Sequence, residues 1–172
     1  EDNSIDFDKL NGIIGIFGKN FSGKSSVIDS LLYTIFNSTS KNERKNLNVI
    51  NQNKEEADGL VTIDVGTKRY TIERKSEKYV KKLKGEETTE AKTDILFKVR
   101  DLITDEETVL NGTTRNETDA IIRNHFGTLD DFLMTSMSSQ IDSLRFINEG
   151  STKRKEALAK FLDLEFFESR RY

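Results

Sequence analysis

The spacing of apolar residues changes several times along the chain, and each change predicts a different element. A short β-branched run, Ile13 to Phe17, is typical of a buried strand. The glycine-bounded stretch Gly18 to Gly23 predicts a tight loop. From Lys24 the apolar positions take helical spacing, at Val27, Ile28, Leu31, Leu32 and Ile35. The chain therefore begins with a predicted strand, loop and helix.

The middle of the chain alternates in the manner of strands. Leu60 to Val65 and Arg69 to Arg74 flank the turn Gly66-Thr67-Lys68, which predicts a β-hairpin. Lys78 to Leu83 is interpreted as a third strand, with Gly85 and the following glutamates as its turn. Thr93 to Val99 also alternates, and a short segment ends at Val109 to Gly112. By contrast, the polar stretch Asn37 to Asn53 predicts a loop.

The second half of the chain is predicted to be helical. Thr114, followed three residues later by Glu117, is a capping box, and Gly127 is a helix stop. Apolar residues recur from Leu129 to Met137. Ser151 is expected to cap a helix that reaches Leu162, and helical potential continues from Leu164 to Tyr172, which suggests a truncated chain.

Composition excludes several classes of protein. The chain has 172 residues and a net charge of -3, so it is not a strongly basic nucleic-acid coat protein. The absence of cysteine excludes disulfide scaffolds and Cys-ligated metal sites, and a single histidine, His125, disfavours a multi-histidine site. No apolar run approaches the ~20 residues of a membrane span. We expect a cytoplasmic protein with no membrane partner.

Residues 18–25 fit the phosphate-loop pattern G-x-x-x-x-G-K-[ST]. In such a loop, glycines let successive backbone N–H groups point at phosphate oxygens, and the helix that follows adds its positive end. Lys24 would reach the β- and γ-phosphates, and the Ser25 hydroxyl would bind Mg²⁺. The loop predicts a nucleotide and Mg²⁺ as ligands, and by itself it does not say which nucleotide. The candidate nucleotide-binding residues are Gly18, Asn20, Ser22, Gly23, Lys24, Ser25 and Ser26.

Hydrolysis also needs a second carboxylate and a group that orients water. Asp64 is a weak candidate because it lies within the predicted hairpin, and no Leu-Ser-Gly-Gly element occurs in the chain. Either the protein is an incomplete ATPase or the missing parts lie on another segment.

Two further motifs give the chain a family resemblance. Phe132-Leu133-Met134 and residues 139–144 (SQIDSL) precede a helix with the pattern of residues 149–168. Together with the phosphate loop, they resemble the N-terminal half of SbcC-type ATPases, which are double-strand-break repair ATPase subunits related to SMC proteins and to phage recombination exonuclease subunits. The resemblance runs from about Ile5 to the end of the chain.

The resemblance implies a fold, a function and partners. The fold would be α/β, the N-terminal lobe of an ABC-type P-loop ATPase head over residues 1–162, with residues 163–172 starting a coiled coil. Gln140 would be the Q-loop glutamine, sharing Mg²⁺ with Ser25, and Lys24 and Gln140 would be the catalytic residues. The implied partners are the C-terminal lobe of the same protein, a second ATPase head, a nuclease subunit and DNA. The lobe alone would hydrolyse little ATP.

The chain also departs from the family pattern. Phe21 stands where the family often has glycine or another small residue, so a positive φ there would strain the loop. Lys19 replaces a common proline or arginine, and the usual first strand before Ile5 is mostly absent. Basic clusters at 41–45 and 78–84 could contact DNA, although a solvated charged face is favoured because acidic residues lie between the basic ones.

Other interpretations stay open. An SMC or a RecF/RecN-like ATPase would keep the nucleotide chemistry and change the partner. A small P-loop kinase or GTPase would need a parallel sheet directly after the helix, and a pure interaction module would carry an inactive loop. The predicted hairpin disfavours the kinase or GTPase.

Overall fold

The computed structural model describes residues 4–39, 46–83, 86–137 and 145–161. A 3-10 helix, Phe7–Lys9, precedes the regular elements. The helices are α1 Lys24–Phe36, α2 Asn46–Val49, α3 Arg115–Phe126, α4 Leu129–Thr135, α5 Arg145–Asn148 and α6 Ser151–Phe161. The strands are β1 Glu56–Val65, β2 Lys68–Leu83, β3 Glu86–Asp101 and β4 Glu107–Val109.

The four strands form one antiparallel sheet in the order β1-β2-β3-β4. The predicted hairpin is confirmed, but its strands are longer than expected. Lys78 to Leu83 continues β2 rather than forming a third strand, and Glu86 and Glu87 lie in β3 rather than in a turn. Cross-strand pairing such as Lys82 with Glu87 carries both strands beyond their predicted ends.

The core lies between one face of the sheet and helices α1 and α3. Ile72 of β2, Phe97 of β3 and Ile122 of α3 are fully buried, and Ile35 of α1 joins them. Alternation places Ile72 and Phe97 on the same face as cross-strand partners. Burying each such side chain stabilises the fold by about 1.5–3 kcal/mol.

Helix α1 approaches the sheet very closely at Gly59 of β1. A Cβ atom on Gly59 would lie 2.1 Å from the Thr34 hydroxyl oxygen, so the packing of α1 on β1 requires glycine at this position. The predicted apolar stripe of α1 is confirmed at Leu32 and Ile35, which are buried. Tyr33 and Thr34 are buried as well, because the last two turns of the helix are enclosed by the sheet and α3.

A buried arginine joins three elements on this side of the sheet. The Arg74 side chain on β2 is 0% exposed; its Nε donates to the Thr34 carbonyl at 3.1 Å, and its Nη2 lies 2.6 Å from an Asp119 carboxylate oxygen. Ser76 lies two residues further along β2, on the same face. Its hydroxyl forms one hydrogen bond with the Tyr33 hydroxyl and another, at 2.6 Å, with the Thr93 hydroxyl. These polar contacts fix α1 and α3 to β2.

The expected strand at Ile13 to Phe17 is wrong for this structure. Among the described residues these five form no ladder with the sheet, and the Ile13 and Phe17 side chains are 102% and 94% exposed. A run that is apolar on both faces needs a neighbour on each side and cover on both faces. None of the four described strands pairs with this run, and its apolar side chains are exposed. The burial that the pattern requires is therefore not met among the described residues.

Two predicted helix boundaries are confirmed by the hydrogen bonds at α3. The Thr114 hydroxyl accepts from the Glu117 N–H, the Glu117 carboxylate accepts from the Thr114 N–H, and Gly127 caps the other end. The predicted loop Asn37 to Asn53 contains the short helix α2, which its polar sequence did not indicate. The predicted coiled-coil start at 163–172 lies outside the described residues.

Replacing Asp119 with alanine is expected to destabilise the protein by about 3–5 kcal/mol, because Arg74 would keep a buried charge without its partner. Urea unfolding measures the change. Asp64→Ala is the matched control, since its ion pair with Arg69 is exposed and its loss should shift the transition far less. Equal shifts for the two variants would contradict this role of Arg74.

The Glu117 carboxyl gives α3 a dependence on pH. Hydrogen bonds from the Thr113 hydroxyl and from the Thr113 and Thr114 N–H groups lower its pKa below the ordinary 4.5. Because this carboxyl has a lower pKa in the folded state than in the unfolded state, it contributes to the free energy of unfolding. That contribution is complete above the unfolded-state pKa and is lost as the pH falls through the folded-state pKa. Unfolding titrations between pH 7 and pH 3 should show this loss, and Glu117→Gln should remove that part of the slope. An unchanged slope in the variant would contradict the assignment.

Candidate functional site: a phosphate-binding loop

The predicted loop residues lie together at the start of α1. Gly18 to Gly23 form the loop, and Lys24, Ser25 and Ser26 form the first turn of the helix. The Lys24 Nζ folds back and donates to the carbonyls of Gly18 at 2.9 Å and Lys19 at 2.7 Å. The loop thus closes around the Lys24 side chain, and two of the three N–H donors of its ammonium group bind loop carbonyls. One donor remains for a phosphate oxygen.

The helix start provides the second part of an anion site. Gly23 is the N-cap of α1 and makes no side-chain capping bond, and the first turn contains no acidic residue. The first N–H groups of a helix lack intrahelical acceptors and lie at its positive end, where they bind phosphate. Ser25 lies exposed in this first turn, and its contact with a phosphate-bound Mg²⁺ stays a prediction.

Backbone conformation accounts for one glycine of the motif. Gly23 has φ +84°, in the left-handed region that costs a residue with a side chain about 1–2 kcal/mol. The space around it is open, since a Cβ atom there would lie 3.8 Å from its nearest neighbour, the Ser26 hydroxyl oxygen. The requirement at Gly23 is therefore conformational rather than steric.

Phe21 also has a positive φ, +63°. The departure noted in the sequence, a phenylalanine where small residues are usual, therefore falls at a position that strains any residue with a Cβ atom. Its ring is 107% exposed, and Lys19 next to the loop is exposed as well.

The second predicted half of the site lies mostly outside the described residues. Gln140 falls in the gap between Met137 and Arg145, so its relation to Ser25 is a prediction only. The helix before that gap does contact α1, because the Phe132 ring of α4 packs 5.6 Å from the Phe36 ring at the end of α1. The segment that leads to Gln140 therefore follows a helix, α4, that packs against the end of α1.

The weak carboxylate candidate, Asp64, forms a surface ion pair. Arg69 donates to its two oxygens at 2.8 and 2.7 Å, and this contact lowers the pKa of Asp64. Within the described ranges, no group of three or more His, Cys, Asp or Glu side chains could hold a metal ion. Ser25 is therefore the described residue best suited to contact Mg²⁺ bound to a nucleotide.

The basic residues of the β2–β3 hairpin have internal partners. Lys78 donates to the carbonyls of Asn51, Gln52 and Lys54, Lys81 pairs with Glu90, and Lys82 pairs with Glu87. Hydrogen bonds from Tyr79 and Lys81 lower the pKa of Glu90. This arrangement favours the interpretation of a solvated charged face at positions 78 to 82.

His125 has a structural role at the edge of the core. Its Nδ1 lies 2.9 Å from the Ile121 carbonyl oxygen, and its ring packs against Tyr70 and Phe97. The structural contact that the sequence analysis missed is the buried ion pair of Arg74 and Asp119. The only sequence signal for this pair was that Arg74 occupies the next alternate position after Tyr70 and Ile72, and so lies on the same face of β2.

A wrapped lysine, an open helix start and a left-handed glycine define a phosphate-binding loop of a nucleotide-binding protein. Comparison with known families agrees: a family model described as an AAA domain matches residues 1–170. The chain belongs to this family and is a P-loop ATPase domain of α/β class, in which ATP and Mg²⁺ are the general ligands. None of the described helices has the length and apolar character to cross a membrane.

One relative shares almost the whole chain. An uncharacterized protein of Acanthamoeba polyphaga mimivirus is 32% identical over 175 residues. The similarity covers 98% of this chain and 12% of that relative, so the chain spans a small part of the length of the protein it matches.

Gly23→Ala is expected to cost about 1–2 kcal/mol of stability, or to shift the loop and weaken nucleotide binding, because alanine is strained at φ +84°. Urea unfolding and titration with ATP measure the two effects. Gly150→Ala is the control, since its surroundings are open and its φ lies outside the left-handed region. If Gly23→Ala matched this control in both assays, the conformational requirement would be wrong.

Proposed function

We propose that this domain is the ATP- and Mg²⁺-binding half of an SbcC-type head, in a DNA double-strand-break repair ATPase that regulates a partner nuclease. The observation that carries the proposal is the order of elements after the phosphate loop. Helix α1 is followed by the antiparallel hairpin of β1 and β2 and then by helices. A small kinase or GTPase would instead continue into a parallel sheet, and among the described strands every pairing is antiparallel.

The exposed apolar run supports a partner for this half. Ile13, Ile14, Ile16 and Phe17 are between 49% and 102% exposed, directly before the phosphate loop. A contiguous apolar surface of this kind marks an interaction site. We assign it to the C-terminal lobe of the same protein, which would supply neighbouring strands and the missing carboxylates.

In this proposal ATP joins two heads. The loop holds the triphosphate, Ser25 and Gln140 share the Mg²⁺ ion, and Gln140 responds to the γ-phosphate. Engagement of the heads is then favoured by a phosphate that only the closed state contacts fully, and hydrolysis releases it. The nuclease and DNA are partners of the engaged state.

Two substitutions in the full-length protein test the nucleotide chemistry. Lys24→Ala should weaken ATP binding about 10- to 100-fold, because it removes a charge-assisted hydrogen bond worth about 1.5–3 kcal/mol. Gln140→Ala should lower turnover more than binding, since its contact is with the γ-phosphate and the ion. Calorimetric titration with ATP and steady-state turnover separate the two effects.

Lys68→Ala is the matched control for Lys24→Ala, because Lys68 is an exposed lysine at the start of β2 and away from the loop. If all three variants bound and hydrolysed ATP equally, the site would be wrong. If the protein bound ATP but nucleotide had no effect on DNA-end cleavage by a co-purifying nuclease, the repair role would be wrong while the ATPase assignment stood.

A further inference from the structure

The tripeptide Leu-Asn-Gly occurs twice in the chain, at residues 10–12 and 110–112. In such a sequence the side-chain amide of asparagine lies within reach of the next backbone nitrogen, and glycine has no Cβ atom to crowd the approach. A reaction between two groups of one chain is favoured because they do not have to meet by diffusion. The two copies share their reacting groups, so a difference in reactivity between them comes from the structure around each.

Hydrogen bonds hold the second copy. The Asn111 Oδ1 accepts from the Phe97 N–H at 2.7 Å, and the Asn111 Nδ2 donates to the Ile95 carbonyl oxygen at 2.9 Å. The Gly112 N–H donates to the Thr118 hydroxyl oxygen at 3.1 Å. The amide that would be attacked and the nitrogen that would attack are therefore both engaged.

The first copy has no such restraint in the part of the chain that the structure describes. Asn11 and Gly12 are exposed, and neither the Asn11 amide nor the Gly12 N–H has a hydrogen-bond partner there. Gly12 has φ +74°, and a Cβ atom placed on it would meet nothing within 4 Å. The Gly12 nitrogen and the Asn11 side chain can therefore approach each other without breaking a contact.

We propose that Asn11 is a site of spontaneous deamidation, in which the Gly12 nitrogen attacks the carbonyl carbon of the Asn11 side chain. The Gly12 amide proton passes to hydroxide, and a bond forms between the Gly12 nitrogen and the Asn11 Cγ. The bond from Cγ to Nδ2 then breaks, and the nitrogen leaves as ammonia after taking a proton from water. Water adds to one of the two carbonyl carbons of the resulting succinimide and opens the ring, which gives aspartate or the β-linked isoaspartate.

This reaction changes the chain where it enters the phosphate loop. Each event replaces a neutral amide with a carboxylate and so adds one negative charge to a chain whose net charge is -3. The β-linked product also adds a methylene group to the main chain, directly before the exposed run from Ile13 to Phe17. The reacted protein therefore differs in both charge and main-chain length at this point.

The test incubates the full-length protein in mildly alkaline buffer and follows both sites by mass spectrometry. Tryptic peptides 10–19 and 101–115 each contain a single asparagine, so the mass gained when a carboxyl replaces a carboxamide is assigned to one residue. In the folded protein Asn11 should react at least about tenfold faster than Asn111, because two hydrogen bonds of the Asn111 amide must break before attack. Methylation by an isoaspartate methyltransferase should label peptide 10–19 of the incubated protein.

A sample unfolded in urea and one variant serve as controls. In urea the two peptides should react at similar rates, since the hydrogen bonds of Asn111 are lost. Asn11→Gln should leave peptide 10–19 unchanged over the same period, because the longer side chain would have to close a six-membered ring.

Equal rates at the two sites of the folded protein would overturn the inference. A difference that persisted in urea would also overturn it, since the neighbouring sequence and not the fold would then set the rate. The same holds if Asn11 reacted in urea but stayed intact in the folded protein, because the fold would then protect both copies.

Discussion

The structure depends on the buried guanidinium of Arg74. One side chain reaches from the central strand β2 to the last turn of α1 and to Asp119 of α3, and it is entirely enclosed. A buried charge is tolerated only when its partners are well placed, so these three elements are held in one arrangement rather than several. The phosphate loop at the other end of α1 takes its position from this arrangement. The position of the candidate site is therefore fixed by the Arg74 contact at the opposite end of α1. The 13 residues of this helix span roughly 20 Å.

Two parts of this domain differ in how well their apolar side chains are buried. The sheet, α1 and α3 form a closed core around Ile72 and Phe97. The segment that enters the phosphate loop instead exposes its apolar side chains. The nucleotide site thus lies at the border between a finished core and a surface that requires cover. In the proposed function, a site placed there would respond to whatever completes the surface.

Local signals in the sequence predicted the elements that depend on local chemistry. The capping box of Thr114 and Glu117 requires only neighbours within a few residues, and it was found as expected. The tight loop from Gly18 to Gly23 was also found, and the hydrogen bonds that Lys24 makes back to its carbonyls are an addition from the structure. The run at Ile13 was misassigned because a strand exists only with its pairing partners, which a pattern of side chains cannot supply. Arg74 was missed for a related reason, since its partners lie 40 and 45 positions along the chain. Gln140 stays a prediction, because it lies outside the described residues.

The charge pairs of the β2–β3 hairpin have a consequence for strand alignment. Beyond Glu77, β2 has no β1 partner in the ladder, and its remaining residues, which include Lys78, Lys81 and Lys82, place lysine on both faces. Such strands slip easily, because no apolar face distinguishes one alignment from the next. The pairs of Lys82 with Glu87 and of Lys81 with Glu90 supply that distinction, since a shifted ladder would separate opposite charges. The alignment of the outer hairpin therefore depends on ion pairs. High salt would screen these pairs and loosen the alignment before it disturbed the apolar core.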